Sequence, residues 1–188
     1  LMLSLLGLPF EVVDVDLAAG EHKQPPFLAL NRFGQVPVIR DGEQVLADSN
    51  AILVYLAQRY APDSGWWPRE AVAQARVQRW LSAAAGPLAF GPAAARVIHL
   101  FGRPQDPTEM QQRARWLFDV MEQELQDAAW LAGKGPTLAD LALYSYTATA
   151  PEGGVSLAPY PRIRQWLDRV ESMPRFVPMP RTAVGLVA

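Results

Sequence analysis

Hydrophobic and polar positions in the first sixty residues alternate between strand-like and helical spacing. Residues 10–17 follow a period of two and are rich in β-branched side chains, which predicts a strand. Two further short runs, at 36–40 and 44–47, flank a tight polar turn and predict a hairpin. From Ser49 onward the apolar residues recur every three to four positions, which is typical of one face of a helix.

The rest of the chain keeps helical spacing. Residues 61–70 break the periodicity with two prolines, a glycine and a Trp pair, and we interpret them as an interdomain linker. Gly86-Pro87 and Gly91-Pro92 are expected to separate the first two helices that follow. The helices predicted after the linker are 71–85, 92–101, a long helix from Thr108, 138–148 and 161–172. The pattern therefore predicts an α/β domain at 1–60 and an all-α domain at 71–188.

A capping box marks the most apolar of these helices. Thr137 places a hydroxyl at the N-cap position, and Asp140 places a carboxylate three residues later. The helix that follows is apolar on nearly all faces, which predicts the buried central helix of the all-α domain. A buried carboxylate without partners would cost several kcal/mol. We therefore expect backbone donors around Asp140 and a structural role for it, not a catalytic one.

Composition and charge exclude several classes of function. Half of the 188 residues are hydrophobic and the net charge is −2, which suits one or two domains with a proper core and gives no basic surface for nucleic acid. We expect no membrane-spanning segment and no metal site. Without cysteine, neither disulfides nor thiolate side chains are present in this sequence, and a cytoplasmic location is expected.

Two short motifs carry the candidate binding chemistry. Val36-Pro37 opens a predicted strand, and a cis bond there would leave the Val36 N–H and C=O outside the sheet. Asp48-Ser49 opens a helix, where free N–H groups and the helix dipole attract an anion. Each motif alone also has a structural interpretation, the first as a strand-edge turn and the second as a helix cap worth about 1 kcal/mol.

At these motifs the sequence resembles the glutathione S-transferase family. The family pattern NPxGxVPxL corresponds to Asn31-Arg32-Phe33-Gly34-Gln35-Val36-Pro37-Val38-Ile39, and the ExSxAI helix start corresponds to Asp48-Ser49-Asn50-Ala51-Ile52. The box at Thr137 and Asp140 matches the S/T-x-x-D box of the family's helical core. The resemblance covers nearly the whole chain. It implies an α/β thioredoxin-like N-terminal domain followed by an all-α helical bundle, of a bacterial theta-like or beta-like type.

The resemblance implies glutathione as ligand and co-substrate. Val36 would pair with the cysteinyl backbone, Ser49 would bind the γ-glutamyl carboxylate and Asp48 would accept from the γ-glutamyl ammonium. His22 and Gln35 stand at the family's positions for the glycyl end, although His22 also fits a solvated loop histidine and Gln35 a plain turn residue. The residues with a structural role would be Pro37, Thr137 and Asp140.

The implied function is that of an enzyme that activates the glutathione thiol for transfer to a small hydrophobic electrophile. By the same resemblance it would work as a homodimer. In the family the activating residue lies at the end of the first strand. Leu1 begins in the middle of an apolar helix, so we expect that strand, and the catalytic residue with it, to precede Leu1. Residues expected around the second-substrate pocket are Phe90, Val97, Ile98 and Phe101.

Two other functions fit the same residues. The first is a glutathione-dependent disulfide reductase or peroxidase, which would reduce a small mixed disulfide and fail to conjugate a generic electrophile. The second is a non-catalytic binding module with a transferase-like fold, because one fold can carry unrelated functions. Such a module would have no need to keep both the Val36-Pro37 and the Asp48-Ser49 motifs.

Overall fold

A computed structural model describes residues 1–180, so residues 181–188 of the predicted all-α domain lie outside the described part of the chain. The elements follow one another as a short mixed half and a long helical half. In chain order they are α1 Met2–Leu6, α2 Pro25–Leu30, β1 Val38–Asp41, β2 Gln44–Ala47, α3 Ser49–Tyr60, α4 Ala71–Ala83, α5 Ala94–Leu100, α6 Thr108–Glu124, α7 Leu138–Ala148 and α8 Pro161–Glu171. Three irregular helices are added to these: 3₁₀ helices at Glu21–Lys23 and Ala150–Gly153, and a π-helical segment at Ala84–Ala93.

The sheet of the described residues is a single antiparallel hairpin, in which Val38 of β1 lies opposite Ala47 of β2. The prediction of a strand at residues 10–17 is wrong. These residues have no strand partner within the described part of the chain, and Val12 and Val13 are 73% and 82% exposed. Period-two spacing indicates that alternate side chains point to opposite faces of an extended segment. A strand also needs a neighbouring strand to pair with its backbone N–H and C=O groups.

One continuous helix occupies residues 71–100, where the sequence predicted two helices. Gly86-Pro87 and Gly91-Pro92 do not end it, because both pairs lie inside the π segment between α4 and α5. Proline lacks an N–H and usually breaks an α-helix, whereas a π-helix has a wider i to i+5 register. Gly91 allows a close approach to α6, since a Cβ at this position would lie 3.0 Å from the backbone nitrogen of Ala114.

This 30-residue helix is long and apolar enough to cross a membrane by length and composition, contrary to the expectation from the sequence. In the structure one part of its apolar surface packs inside the bundle, whereas Val72 and Phe90 are 59% and 60% exposed. Val77, Trp80 and Leu81 are at most 2% exposed and belong to the main hydrophobic core. The arrangement is that of a core helix, with helices α6 and α7 packed against it.

Helix α7 lies at the centre of the bundle, and the Asp140 carboxylate organises its first turn. Asp140 is fully buried and accepts hydrogen bonds from the Leu131 N–H (3.0 Å), the Thr137 N–H (2.8 Å), the Thr137 hydroxyl (3.1 Å) and the Trp166 indole N–H (2.9 Å). Burial raises the pKa of Asp140, and these four donors oppose the rise. The carboxylate thereby connects α7 to the preceding loop and to α8.

A single hydrophobic core joins the two halves of the chain. Ile52 and Leu56 of α3 belong to the same buried cluster as Trp166 of α8. Helix α3 packs against α7, and the Leu138 N–H donates to the carbonyl of Trp66 in the predicted linker at 3.0 Å. The hairpin and α3 are therefore fixed relative to the bundle. The exact bounds of the two domains stay a prediction.

A carboxylate fastens the turn end of the hairpin to α3. The Tyr55 hydroxyl donates to Asp41 Oδ2 at 2.7 Å, and the Tyr60 hydroxyl donates to the same oxygen. The hydrogen bond from Tyr60, followed by the one from Tyr55, lowers the pKa of Asp41. The same two bonds raise the pKa of both tyrosines, because they favour the protonated phenols.

We predict that acid weakens this contact. Because the folded-state pKa of Asp41 lies below its ordinary value of 3.8, its stabilisation is present above that pH and is lost as the pH falls through the folded-state pKa. Urea unfolding measured from about pH 6 down to about pH 2 should show a smaller acid-induced fall in midpoint for Asp41→Asn than for the unmodified protein. Glu43→Gln, in the same turn, is the control and should keep the full acid response. Equal acid responses of all three proteins would show that the contact adds no stability.

Candidate functional site

The hairpin register places the two candidate motifs at the same end of the sheet. Val38 lies opposite Ala47, so Pro37, which precedes β1, and Asp48, which follows β2, occupy the next positions along the pair. Opposed Cα atoms of antiparallel strands are about 5 Å apart. The structure therefore brings Val36-Pro37 beside Asp48-Ser49.

The backbone of Val36 is open to a ligand. The Val36-Pro37 peptide bond is cis, and Val36 is 44% exposed. Within residues 1–180 neither the N–H nor the C=O of Val36 makes a hydrogen bond. An extended peptide pairs with such free groups in the way that it adds to the edge of a sheet.

Asn31 holds the loop that leads to this edge. Its side chain is buried, its amide donates to the Gln35 carbonyl at 2.7 Å and its side-chain oxygen accepts from the Phe33 N–H at 3.1 Å. The Asn31 carbonyl also accepts from the Gly34 N–H at 2.9 Å. The loop is therefore ordered by internal hydrogen bonds as far as Gln35, and the free groups begin at the next residue, Val36.

Gly34 brings His22 close to Gln35. Gly34 has a φ of +58°, and a Cβ on it would lie 2.8 Å from the carbonyl oxygen of His22, so the loop and the 3₁₀ helix are in close contact. Lys23 Nζ donates to the Gly34 carbonyl at 2.9 Å. The buried His22 Nδ1 has no hydrogen-bond partner among the described residues. Buried polar atoms rarely stay unpaired, but this nitrogen has no accessible surface through which a ligand could reach it in this conformation.

Asp48 caps α3 with an unusual backbone conformation. Its φ is +75°, a value that costs a non-glycine residue about 1–3 kcal/mol and that concentrates at ligand sites. Asp48 Oδ1 accepts from the Ala51 N–H at 2.9 Å, and the Asp48 carbonyl accepts from the Ile52 N–H at 2.9 Å. In the part of the chain that the structure describes, the N–H groups of Ser49 and Asn50 and the Ser49 hydroxyl have no partner. These three donors lie at the positive end of the helix dipole, a position that favours the binding of an anion.

The residues expected around a second-substrate pocket are spread over the helical half. Ile98 is buried in the bundle, whereas Phe101 is 67% exposed at the end of α5. Phe90 lies in the π segment and lines a cavity of about 540 Å³ together with Trp116 of α6. Ile98, Phe101 and Val97 do not line this cavity. The second-substrate pocket therefore stays a prediction.

Three residues near the site have roles that the sequence pattern does not predict. Lys23 puts a cation on the loop, and the signal for it was its position directly after His22. Asn31 orders the loop, and the signal was a side-chain amide three residues before a glycine. Asn50 donates from its side chain to the carbonyl of Leu81 at 2.9 Å, and no local signal exists because the two are 31 positions apart.

Comparison with known protein families matches both halves of the chain. The glutathione S-transferase N-terminal domain matches residues 1–58, and the glutathione S-transferase C-terminal domain matches residues 81–174. Glutathione S-transferase 3 of Zea mays is 36% identical over 183 residues, which cover 90% of this chain and 81% of that protein. Glutathione S-transferase theta-2 of Homo sapiens is 35% identical over 175 residues, covering 88% of this chain and 72% of the relative.

Solved structures share the same architecture. A glutathione S-transferase from Pseudomonas fluorescens superposes with a TM-score of 0.88 at 38% identity, covering 95% of this chain and 90% of that one. A glutathione transferase homolog from Drosophila mojavensis, with bound glutathione, superposes with a TM-score of 0.83 at 29% identity, covering 92% and 80%. These matches confirm the predicted fold class, an α/β thioredoxin-like domain followed by an all-α helical bundle.

The close contact between Gly34 and His22 is testable by stability. Gly34→Ala should lower the free energy of unfolding by about 2 kcal/mol or more, because the new Cβ adds a collision to the cost of a left-handed backbone. Gly42 has the same φ of +58° but would place its Cβ in open space, so Gly42→Ala should show only the backbone cost of about 1–2 kcal/mol. Urea denaturation measures both. Equal losses would mean that the loop and the 3₁₀ helix are not in contact.

Proposed function

Since this chain belongs to the glutathione S-transferase family, we propose that it binds glutathione between Val36 and Ser49 and activates the thiol for transfer to a small electrophile. The family resemblance seen in the sequence motifs is confirmed by the domain matches and by the relatives. Glutathione is a γ-linked tripeptide with two carboxylates, an ammonium group and a thiol. Its binding site needs an extended edge for the middle residue and charged or polar groups at both ends.

The cysteinyl residue of glutathione would pair with Val36. The free Val36 N–H and C=O offer one donor and one acceptor, which match the C=O and N–H of an extended peptide. The hydrogen bonds of Asn31 hold the preceding loop in place before the ligand arrives. Binding to an ordered edge costs less conformational entropy than binding to a mobile one.

The γ-glutamyl end would be held by the first turn of α3. Its carboxylate accepts from the Ser49 N–H, the Asn50 N–H and the Ser49 hydroxyl, which the fold leaves without internal partners in the described residues. Its ammonium group donates to Asp48, whose Oδ1 is occupied by the helix cap and whose Oδ2 is available. The ammonium group of the ligand thus faces the Asp48 carboxylate, and the ligand's carboxylate faces the positive end of the helix dipole.

The glycyl carboxylate would lie near His22, Lys23 and Gln35. Lys23 supplies a positive charge beside the loop, and the His22 ring and the exposed Gln35 amide supply further polar groups. Lys23 Nζ already donates to the carbonyls of Gly34 at 2.9 Å and Phe33 at 3.4 Å, which leaves one of its three hydrogens for a ligand. This end of the site is therefore more loosely defined than the γ-glutamyl end.

The thiolate is the species that attacks. Glutathione releases its thiol proton to solvent, the sulfur forms a bond to an electrophilic carbon, and the group displaced from that carbon leaves with the electron pair of the broken bond. Holding both ends of the tripeptide fixes the position of the sulfur, so that the reaction with a bound second substrate is effectively unimolecular. A small apolar electrophile and a cytoplasmic location are part of this proposal.

One observation supports the proposal above the others: the pairing of Val38 with Ala47 puts a free backbone edge beside a free helix N-terminus. Either feature alone would fit a structural interpretation. Together they match the middle and one end of a single tripeptide. A structural hairpin does not require both to stay unpaired.

The assignment of the anion site is tested at Ser49. Ser49→Ala should raise the glutathione Kd about tenfold, and Ser49→Asp should raise it more than a hundredfold because a second carboxylate would repel the γ-glutamyl carboxylate. Isothermal titration calorimetry with glutathione alone measures both. Ser172→Asp, which adds the same charge at an exposed position after α8, is the control and should bind as the unmodified protein does. An unchanged Kd for Ser49→Asp would disprove the assignment.

We also propose that the protein is a homodimer whose interface includes the exposed aromatic side chains of Phe90 and Trp116. Aromatic residues are enriched at protein interfaces, and these two, 60% and 57% exposed, border one cavity. Light scattering should give twice the chain mass of 20.7 kDa, and Trp116→Glu should shift the protein towards one chain mass. Val177→Glu, at another exposed apolar position, should leave the mass doubled. A single chain mass for the unmodified protein would rule out the dimer.

A further inference from the structure

One side-chain hydrogen bond crosses from the first turn of α3 to the helical half. Asn50 Nδ2 donates to the Leu81 carbonyl at 2.9 Å, over a sequence separation of 31. Asn50 directly follows Ser49, and its backbone N–H is one of the free donors of the anion site. The same residue therefore has its N–H at the site and its side chain on α4.

The accepting carbonyl lies where the helix changes its register. Leu81 is 2% exposed and precedes the π segment that begins at Ala84. Its carbonyl also accepts from the Ala84 N–H, which is shared between the carbonyls of Leu81 and Trp80. A carbonyl oxygen has two lone pairs, so the Leu81 carbonyl can accept from the Asn50 side chain in addition to a helix N–H. The fixed position of Leu81 makes it a rigid anchor.

The surroundings of this bond do not supply a replacement for it. Asn50 borders a cavity of about 730 Å³ between α3 and α4, whose other polar lining includes Gln58, Gln78 and Ser82. Within the described residues, the Gln78 side chain donates to Ser82 at 3.5 Å, and the Gln58 side chain makes no hydrogen bond. Asn50 is thus the side chain of this cavity that connects α3 to the backbone of α4.

We infer that Asn50 is a positioning residue for glutathione binding, which fixes the direction of the first-turn N–H groups of α3 by fastening that turn to the Leu81 carbonyl. The inference rests on the proposed function, because it assigns those N–H groups to the γ-glutamyl carboxylate. A donor array that is fixed before the ligand arrives binds more tightly than one that must be ordered by the ligand. The bond also sets the distance between the glutathione site and the helical half, where the second substrate is expected.

The test is glutathione binding by Asn50 variants, measured calorimetrically without electrophile. Asn50→Ala keeps the backbone N–H and removes the contact to Leu81, and should raise the Kd about tenfold, equivalent to about 1.4 kcal/mol. Asn50→Asp should raise it further, since a carboxylate cannot donate to the Leu81 carbonyl and also repels the ligand's carboxylate. Gln58→Ala, in the same cavity, is the matched control and should leave the Kd unchanged.

A double-mutant cycle with Ser49→Ala separates positioning from general stability. If Asn50 acts by orienting the first turn, the combined variant should lose clearly less affinity than the product of the two single losses, because both changes weaken the same donor set. Independent, multiplicative losses, or an unchanged Kd for Asn50→Ala, would overturn the inference while leaving the proposed function intact. Absence of saturable glutathione binding by the unmodified protein would instead overturn the proposed function.

Discussion

The antiparallel pairing of Val38 with Ala47 is the interaction on which the site depends. It sets Pro37 beside Asp48, so that a free backbone edge and a free helix N-terminus adjoin each other. A slip of one residue would turn every side chain of the strand to the other face and separate the two motifs. The register is secured at the turn end of the hairpin, where Asp41 accepts from two tyrosines of α3.

The site is made largely of backbone groups that the fold leaves unpaired, which is unusual because backbone donors and acceptors nearly always find partners. The structure around these groups is correspondingly well connected. Asn31 orders the loop before Val36, Asp48 caps α3 and Asn50 fastens its first turn to α4. Behind them the buried Asp140 carboxylate ties the bundle together through four donors. A rigid bundle thus supports an open binding edge.

The sequence predicted the hairpin, the start of α3 and the two-part fold, because each of these has a local pattern of spacing and capping residues. It failed at residues 10–17, because period-two spacing does not reveal whether a strand partner is present. The sequence-based prediction failed again at Gly86-Pro87. Such a pair normally ends an α-helix, but here a π-helical register accommodates it. The role of Asn50 was hidden because its partner Leu81 is distant in sequence. Features that depend on contacts between residues distant in the sequence could not be predicted.

A crystal structure of the protein with bound glutathione would show whether the hairpin end and the first turn of α3 form one binding site. We expect the γ-glutamyl carboxylate at about 3 Å from the Ser49 hydroxyl and N–H, with the cysteinyl backbone paired to Val36. Glutathione bound in the cavity between α3 and α4, against Gln78 and Ser82 and away from Val36, would contradict it.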